Sequence, residues 1–352
     1  MKILIITNNE IDLKKASGLN ISIKMLSQEL RNQNIEVSFL KNKDINKLEF
    51  NKHLVTEQNK NQTNKKKFNL ILLNEVFNYS NIKAISWAKK NRIPTALFTR
   101  GNLMMGSFDI GYFKKKIYML LVGFFILKKV DHIICTSNLE RKKSYYLNRF
   151  INKVTIIPDG PSIKKMDILN SKKKIKNYFL FLNRLSQDKG VDKIIKIWKK
   201  FYKKNKENKL IIAGSGSAVI ENKIKEVCYK DNSINFCGFV EGQEKINLIS
   251  EAKASIICSE SESFSIATID SLYLGTPVIT NVNTPWRLLK ILNIGFCTDS
   301  TEESYIKALN FFADKKLNEF QKIERNCQLY SENFNWKKSA HKLIKMVKNI
   351  EA

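Results

Sequence analysis

Short, nearly continuous apolar runs recur along the chain, and each is followed by a longer stretch in which apolar residues return at helical intervals. In the first half the runs are KILIIT, IEVSFL, FNLILLN, PTALFT and DHIICT; in the second they are NYFLFLN, KLIIAG, INFCGF, ASIICS and PVITNV. Strands buried on both faces need apolar side chains on consecutive positions, and a parallel sheet is where such strands occur. The segments between them carry the other period. Ile21, Met25, Leu26 and Leu30 form one helical face, and Val191, Ile194, Ile195, Trp198 and Phe201 form another. Alternation of strand and helix, run through twice, predicts an α/β chain of two Rossmann-like domains. The stretch PDGPSIKKMDILNSKKKIKN breaks both periods with prolines, glycine and a lysine run, which places a boundary there. The expected division is residues 1–165, 166–330 and a terminal helical segment 331–352. In that last segment Trp336, Ala340, Leu343, Ile344 and Val347 share a face. Residues 41–67 are polar and poorly periodic and read as a loop or insertion. Ligands of such folds bind at the carboxyl ends of strands, so the expected site is a cleft between two facing domains.

Composition narrows the class. At 43% hydrophobic residues the chain can fill two cores despite a formal charge of +28. Its six cysteines include no CxxC pair and several fall in apolar strand runs, which fits reduced thiols in a reducing compartment. Three histidines, none near another, argue against a histidine-based metal site, and no metal or cofactor is expected. The opening MKILIITNNEID turns polar too soon for a secretory leader. The longest apolar run, Ile117–Leu127, is shorter than the roughly 20 residues a membrane-spanning helix needs. A cytoplasmic protein is expected, peripheral to the inner face of the cytoplasmic membrane at most. The charge favours an anionic partner. Nucleic acid is disfavoured, because no zinc-finger, RNP-like or helix-turn-helix signature accompanies the lysines.

Four stretches carry candidate chemistry. In FLNRLSQDKG, Arg184 and Lys189 follow a predicted strand, where a guanidinium fork and an ammonium suit a diphosphate; a basic turn in a basic protein reads equally well. In IIAGSGSAVI, Gly214 and Gly216 permit a tight turn. The third position of the dinucleotide fingerprint is Val219, so nicotinamide chemistry is poorly supported. In SESESFSIATID a loop turns into a helix near Phe264, leaving the backbone N–H groups of Ser263, Phe264, Ser265 and Ile266 to hold phosphate oxygens. Glu262 precedes them, and Asp270 lies about two turns into the helix on the same face, where it could take the two hydroxyls of a ribose. The alternatives are that Glu262 complements the helix dipole and Asp270 pairs with a lysine. In GYFKKKIYMLLVGFFILKKV, aromatic residues, lysines and an apolar run suit an anionic lipid surface, or a buried helix with a basic end. Local explanations stand for three other matches. Ser137 with Glu140 reads as a capping box, Thr284-Pro285-Trp286 as a helix start, and Pro158-Asp159-Gly160 as a turn.

Taken in order, NRLSQDKG, IIAGSG, FCGFV, SESESFSIATIDSLYLGTPVI and NTPWRLL resemble the second half of a GT-B glycosyltransferase of family 4, across most of residues 177–294. The first half is similar more loosely, through Gly18 in ASGLN, Arg100 and Gly101 in TRGNL, the IICTSNLE segment and IIPDG. The resemblance implies a terminal helix that crosses back to the N-terminal domain. It implies a retaining, metal-independent transfer from a nucleotide-diphosphate sugar to a hydroxyl of a saccharide or lipid-linked saccharide, in cell-surface polysaccharide synthesis. Glu262, Arg184 and Lys189 would be catalytic. Gly18, Gly214, Ser263, Phe264, Ser265, Ile266 and Asp270 would bind the donor. Departures are visible: Asp270 replaces the second Glu, Ser263 and Ser265 replace glycines, and Asn183 stands where glycine is common. No histidine occupies the N-terminal position many members use, and Arg100 and Asn102 are the candidates there, on the acceptor side. The competing readings are an epimerase or catalytically weak subunit of the same fold, and a basic nucleic-acid-binding protein.

Overall fold

The computed structural model describes residues 1–7, 18–46, 48, 68–164 and 175–351. Most of the polar stretch expected as a loop over 41–67, and the centre of the expected linker near residue 165, lie outside the described residues. The chain forms two compact units, Met1–Asp159 with Trp336–Ala352, and Gly160–Asn335. They divide after Asp159 rather than after 165, and after Asn335 rather than after 330.

The first unit is a six-stranded parallel sheet in the order β2-β1-β3-β4-β5-β6. Its elements are β1 (Lys2–Thr7), α1 (Gly18–Asn32), β2 (Glu36–Lys41), β3 (Leu70–Asn74), α2 (Ser80–Lys90), β4 (Thr95–Phe98), α3 (Met105–Asp109), α4 (Tyr112–Tyr118), α5 (Phe124–Lys129), β5 (His132–Cys135), α6 (Asn138–Lys143) and β6 (Val154–Ile156). The five apolar runs of the first half are β1 to β5. β1 and β3 to β5 are almost wholly buried, as consecutive apolar positions demand, whereas β2 lies at the sheet edge and is half-buried. β6 has three half-buried residues and too short an apolar run to read from sequence.

The second unit repeats the plan in the order β12-β11-β10-β7-β8-β9, again all parallel. It contains β7 (Tyr178–Leu182), α7 (Val191–Tyr202), β8 (Lys209–Ala213), α8 (Ala218–Lys230), β9 (Ile234–Gly238), α9 (Gly242–Ser250), β10 (Ala254–Ile256), α10 (Ile266–Tyr273), β11 (Val278–Asn281), β12 (Gly295–Thr298), α11 (Glu302–Ala313) and α12 (Leu317–Ser331). Val191, Ile194, Ile195, Trp198 and Phe201 all enter its core. The helix expected after Thr284 is absent, and residues 287–293 run as turns. The Thr284 hydroxyl donates to Asn281 O at 3.0 Å and accepts from Thr280, so it is not engaged as a cap.

The last helix, α13 (Trp336–Glu351), belongs to the first unit and packs on α1. Trp336, Ala340, Leu343 and Val347 of the face read from the sequence join Ile23, Leu26 and Leu30 in one core cluster; Ile344 is only half-buried against it, and Met346, outside the expected face, is buried in it.

Candidate active site

β7 and β10 are neighbours in the second sheet although the whole β8–β9 excursion separates them in sequence. The chain leaves β7 in one direction and returns on its other side as β10. Open α/β sheets bind ligands at such a reversal, beyond the carboxyl ends of the two strands. The loops after β7 and β10 carry the cations and the acid singled out above.

Glycines let these loops approach. Gly190 has φ +78°, and a Cβ there would lie 2.5 Å from the Cys258 carbonyl oxygen. Beside it the Glu260 N–H donates to Asp188 O at 3.0 Å. Gly214, at the end of β8, has φ +136°, and a Cβ would come within 1.8 Å of Asn183 O. It is thus required for backbone packing under the loop that carries Arg184.

On this frame Lys189 Nζ donates to Glu262 Oε1 at 2.8 Å, with side chains 16% and 12% exposed. Ser259 Oγ donates to the same oxygen at 2.8 Å. Asp188 lies 3.9 Å from Lys189 and 3.2 Å from Arg184. Burial pushes the Asp188 carboxyl up, and Ser186, Lys189 and Arg184 together reverse this and hold it below the ordinary value. The result is a row of alternating charge running from Arg184 at the solvent edge to Glu262 inside. Arg184 is 64% exposed, so the two expected cations differ: Lys189 is seated on Glu262, and Arg184 pairs with Asp188 at the solvent edge.

The start of α10 adjoins Glu262. Ser265 caps it from the unusual φ of +75°, and its Oγ accepts from Thr268 N–H at 3.4 Å and from Thr268 Oγ1 at 2.9 Å. A non-glycine residue held there costs about 1–3 kcal/mol, which those capping bonds offset in part. Phe264 is buried against Trp286, whose indole N–H donates to Phe264 O. Its side chain therefore serves the core, which leaves its backbone N–H as its only polar donor. The first N–H groups of a helix have no acceptor within it.

Asp270 is not placed as the spacing suggested. α10 begins at Ile266, so Asp270 is about one turn in rather than two. Its side chain is fully buried. Ser162 N–H and Oγ donate to it at 2.6 Å each, and Lys245 Nζ at 2.7 Å. The alternative of a lysine partner is what the structure shows, and Lys245 also donates to Ser162 Oγ at 2.8 Å.

The candidates of the first unit lie in the following surroundings. Arg100, at φ +51°, is buried with Nη1 2.8 Å from Asp159 Oδ1 and its guanidinium over the Phe98 ring. Asp159 also accepts from Ser22 Oγ at 2.7 Å, so Pro158-Asp159-Gly160 is an anchored segment rather than a plain turn. Asn102 accepts from Val76 N–H at 2.9 Å. Gly18 is the exposed first residue of α1, and the loop preceding it lies outside the described residues. Glu140 does not close a capping box. Ser137 Oγ accepts from Glu140 N–H, but the carboxylate turns inward to Thr136 N–H and Oγ1, Thr99 Oγ1 and Gly101 N–H. It is the fully buried keystone of the 99–102 loop.

Ser259, Asp188 and Lys245 were missed by sequence reasoning. Asp188 and Ser259 lie within the quoted motifs and were legible as neighbours, whereas nothing distinguishes Lys245 from the many other lysines.

The sequence profile described as "Glycosyl transferases group 1" matches residues 163–327, just under half of the chain and almost all of the second unit. An uncharacterized glycosyltransferase of Methanocaldococcus jannaschii is 27% identical over 258 residues, covering 68% of this chain and 64% of that protein. The GDP-mannose-dependent alpha-(1-6)-phosphatidylinositol dimannoside mannosyltransferase of Mycobacterium tuberculosis is 22% identical, covering 61% of this chain and 56% of its own. The chain thus spans between 41% and 64% of the length of the curated relatives it matches first. Sucrose-phosphate synthase from Thermosynechococcus elongatus superimposes with a TM-score of 0.74 at 16% identity, covering 99% of this chain and 98% of that one. The second unit matches the glycosyl transferases group 1 family, and the chain as a whole has the GT-B fold.

Proposed function

We propose that the protein moves a sugar from a nucleotide-diphosphate sugar to a hydroxyl of a saccharide or lipid-linked saccharide, with retention at the anomeric carbon. The observation that carries this is the Lys189–Glu262 pair at the switch point of the second sheet, beside the first turn of α10. In this reading the bond from the anomeric carbon to the diphosphate oxygen breaks as the acceptor oxygen bonds on the same face. The departing phosphate oxygen takes the acceptor's proton. Lys189, Arg184 and the first-turn N–H groups neutralise the diphosphate, each well-placed donor contributing about 3 kcal/mol to the transition state. Glu262, fixed by Lys189 and Ser259, orients sugar hydroxyls. No metal enters this reading. Arg100, Asn102 and Glu140 shape the 99–102 loop from within and act as positioning residues.

The mycobacterial relative's name couples a nucleotide sugar to a lipid-borne acceptor, which supports the lipid-linked form. No helix among the described residues is long and apolar enough to cross a membrane, and the reading places the enzyme in the cytoplasm, peripheral to the inner membrane face, in cell-surface polysaccharide synthesis. A thermal-shift screen with nucleoside diphosphates and their sugar conjugates identifies the donor, since a ligand at a hundred times its Kd stabilises by about 2.7 kcal/mol. Glu262→Gln and Lys189→Ala are expected to lower turnover by about a hundredfold or more in folded protein. Undiminished turnover in both variants would remove the assignment.

A further inference from the structure

The apolar run between Tyr112 and Lys129 was open to two readings, a buried helix or a lipid-binding one, and the structure shows that it has two apolar faces. Tyr118, Met119, Ile126 and Leu127 are buried in the first unit's core. Phe113, Ile117, Leu120, Leu121 and Phe125 are 78%, 56%, 76%, 74% and 42% exposed. Their spacing is helical, so they form one outward stripe along α4, the π turn Met119–Gly123 and α5. Eight of the eighteen large apolar side chains exposed among the described residues lie between Met105 and Phe125. Singly exposed apolar residues need no explanation, but a contiguous stripe of this size marks a binding surface.

Charge says what binds there. No Asp or Glu occurs between Ile110 and Val130, while Lys114 and Lys116 flank the stripe at one end and Lys128 at the other, all exposed. Lys115 is turned inward and donates to Ser107 O, so it is not part of the outer set. An apolar centre with cations at both ends matches the layering of an anionic leaflet: acyl chains at the centre, phosphates at the level of the ammonium groups. A second copy pairing through the same stripe by a two-fold axis would instead set lysines against lysines. We infer that this outer face of α4–α5 is an interfacial anchor that inserts Phe113, Leu120 and Leu121 into an anionic lipid leaflet. This deepens the lipid-linked acceptor half of the proposed function and rests on that reading only for what the docked enzyme does.

Docking is read without turnover, so its failure and that of the catalytic reading are distinguishable. Full-length protein is sedimented with phosphatidylcholine vesicles containing about one third phosphatidylglycerol, and with phosphatidylcholine alone. Binding to the anionic vesicles, weakened by salt, is expected. The Phe113→Ser/Leu120→Ser/Leu121→Ser variant should lose at least about tenfold in partition, because the apolar term supplies insertion. Its melting temperature and nucleotide-induced shift should stay as in the wild type, since all three side chains face outward. Lys114→Gln/Lys116→Gln/Lys128→Gln should erase the preference for anionic over neutral vesicles. No vesicle binding by the wild type, or equal partition by the serine variant, would overturn the inference. A concentration-dependent dimer that the serine variant abolishes, without vesicle binding, would overturn it in favour of self-association.

Discussion

Asp270 gives the sharpest test of the site, because the spacing of the sequence and the packing of the structure assign it different work. Its carboxylate is fully buried and takes three donors at 2.6–2.7 Å: Ser162 N–H, Ser162 Oγ and Lys245 Nζ. Asp270→Asn keeps the shape but turns one oxygen into an NH2 facing a donor. It also leaves Lys245, only 18% exposed, without its counter-charge. Breaking a buried pair by removing one partner costs about 3–5 kcal/mol. For a unit of this size that is a fall in melting temperature of about 6–20 °C. Lys245→Met should cost less, because both Ser162 donors still hold the carboxylate. The double variant should fall short of the sum, with a coupling of about 2 kcal/mol. The assay is a double-mutant cycle by thermal and urea denaturation, with the nucleotide-induced shift measured on each folded variant. Two results would refute the structural role: single-variant losses below about 1 kcal/mol that add within about 0.5 kcal/mol, or an Asp270→Asn protein that melts like the wild type and no longer responds to nucleoside diphosphates.

Gly214→Ala must relieve a contact of 1.8 Å with Asn183 O and leave a φ of +136°. It should cost about 3 kcal/mol or more in urea denaturation, and fold-preserving survivors should bind nucleotide more weakly. Glu140→Gln replaces an acceptor of four hydrogen bonds with a group that also donates. A loss of about 2–4 kcal/mol and faster amide exchange at Gly101 are expected. Glu302 is held down at about 2 by hydrogen bonds from Lys196 and Lys200. A depressed carboxyl contributes stability that is complete above its ordinary value near 4.5 and disappears as pH falls through about 2. The difference in melting temperature between wild type and Glu302→Gln should therefore stay level above the ordinary value near 4.5 and narrow as pH falls from there towards about 2, and a gap that widens would contradict the pairing.

Much of the fold could be read from the sequence because a parallel sheet demands consecutive apolar positions and its crossover helices demand the longer period. Ile194, Trp198 and Phe201 had to face inward, and they do. Elements that escaped lack that signal. β12 is four residues long and opens on Gly295, where a Cβ would meet Val278 O at 2.0 Å, so the sequence shows a glycine where a strand side chain would be expected. Cap-like residues misled for a related reason. Thr284 and the Ser137–Glu140 pair have the right types at the right spacing, but a hydroxyl or carboxylate goes to the donors that tertiary packing delivers. For Glu140 those are Thr99 and Gly101, supplied by a strand end remote in sequence.

The same reasoning separates Glu262 from Asp270. Read along the chain they are two acids in one motif, and a helical ruler puts them together. The ruler fails because Glu262 lies in the loop before α10 and Asp270 one turn inside it, so no common face exists to share. What decides between them is the demand already met on each carboxylate. Asp270 takes three short donors in a place solvent does not reach, and a ligand hydroxyl would first have to displace Ser162 or Lys245. Glu262 accepts Lys189 and Ser259 on one oxygen at the end of β10, next to a cation that a diphosphate would also seek. The two lysines are about equally exposed, so the difference lies in the acids: Glu262 keeps 12% of its side chain exposed and Asp270 none. Of the two acids, Glu262 is therefore the one whose geometry suits a substrate.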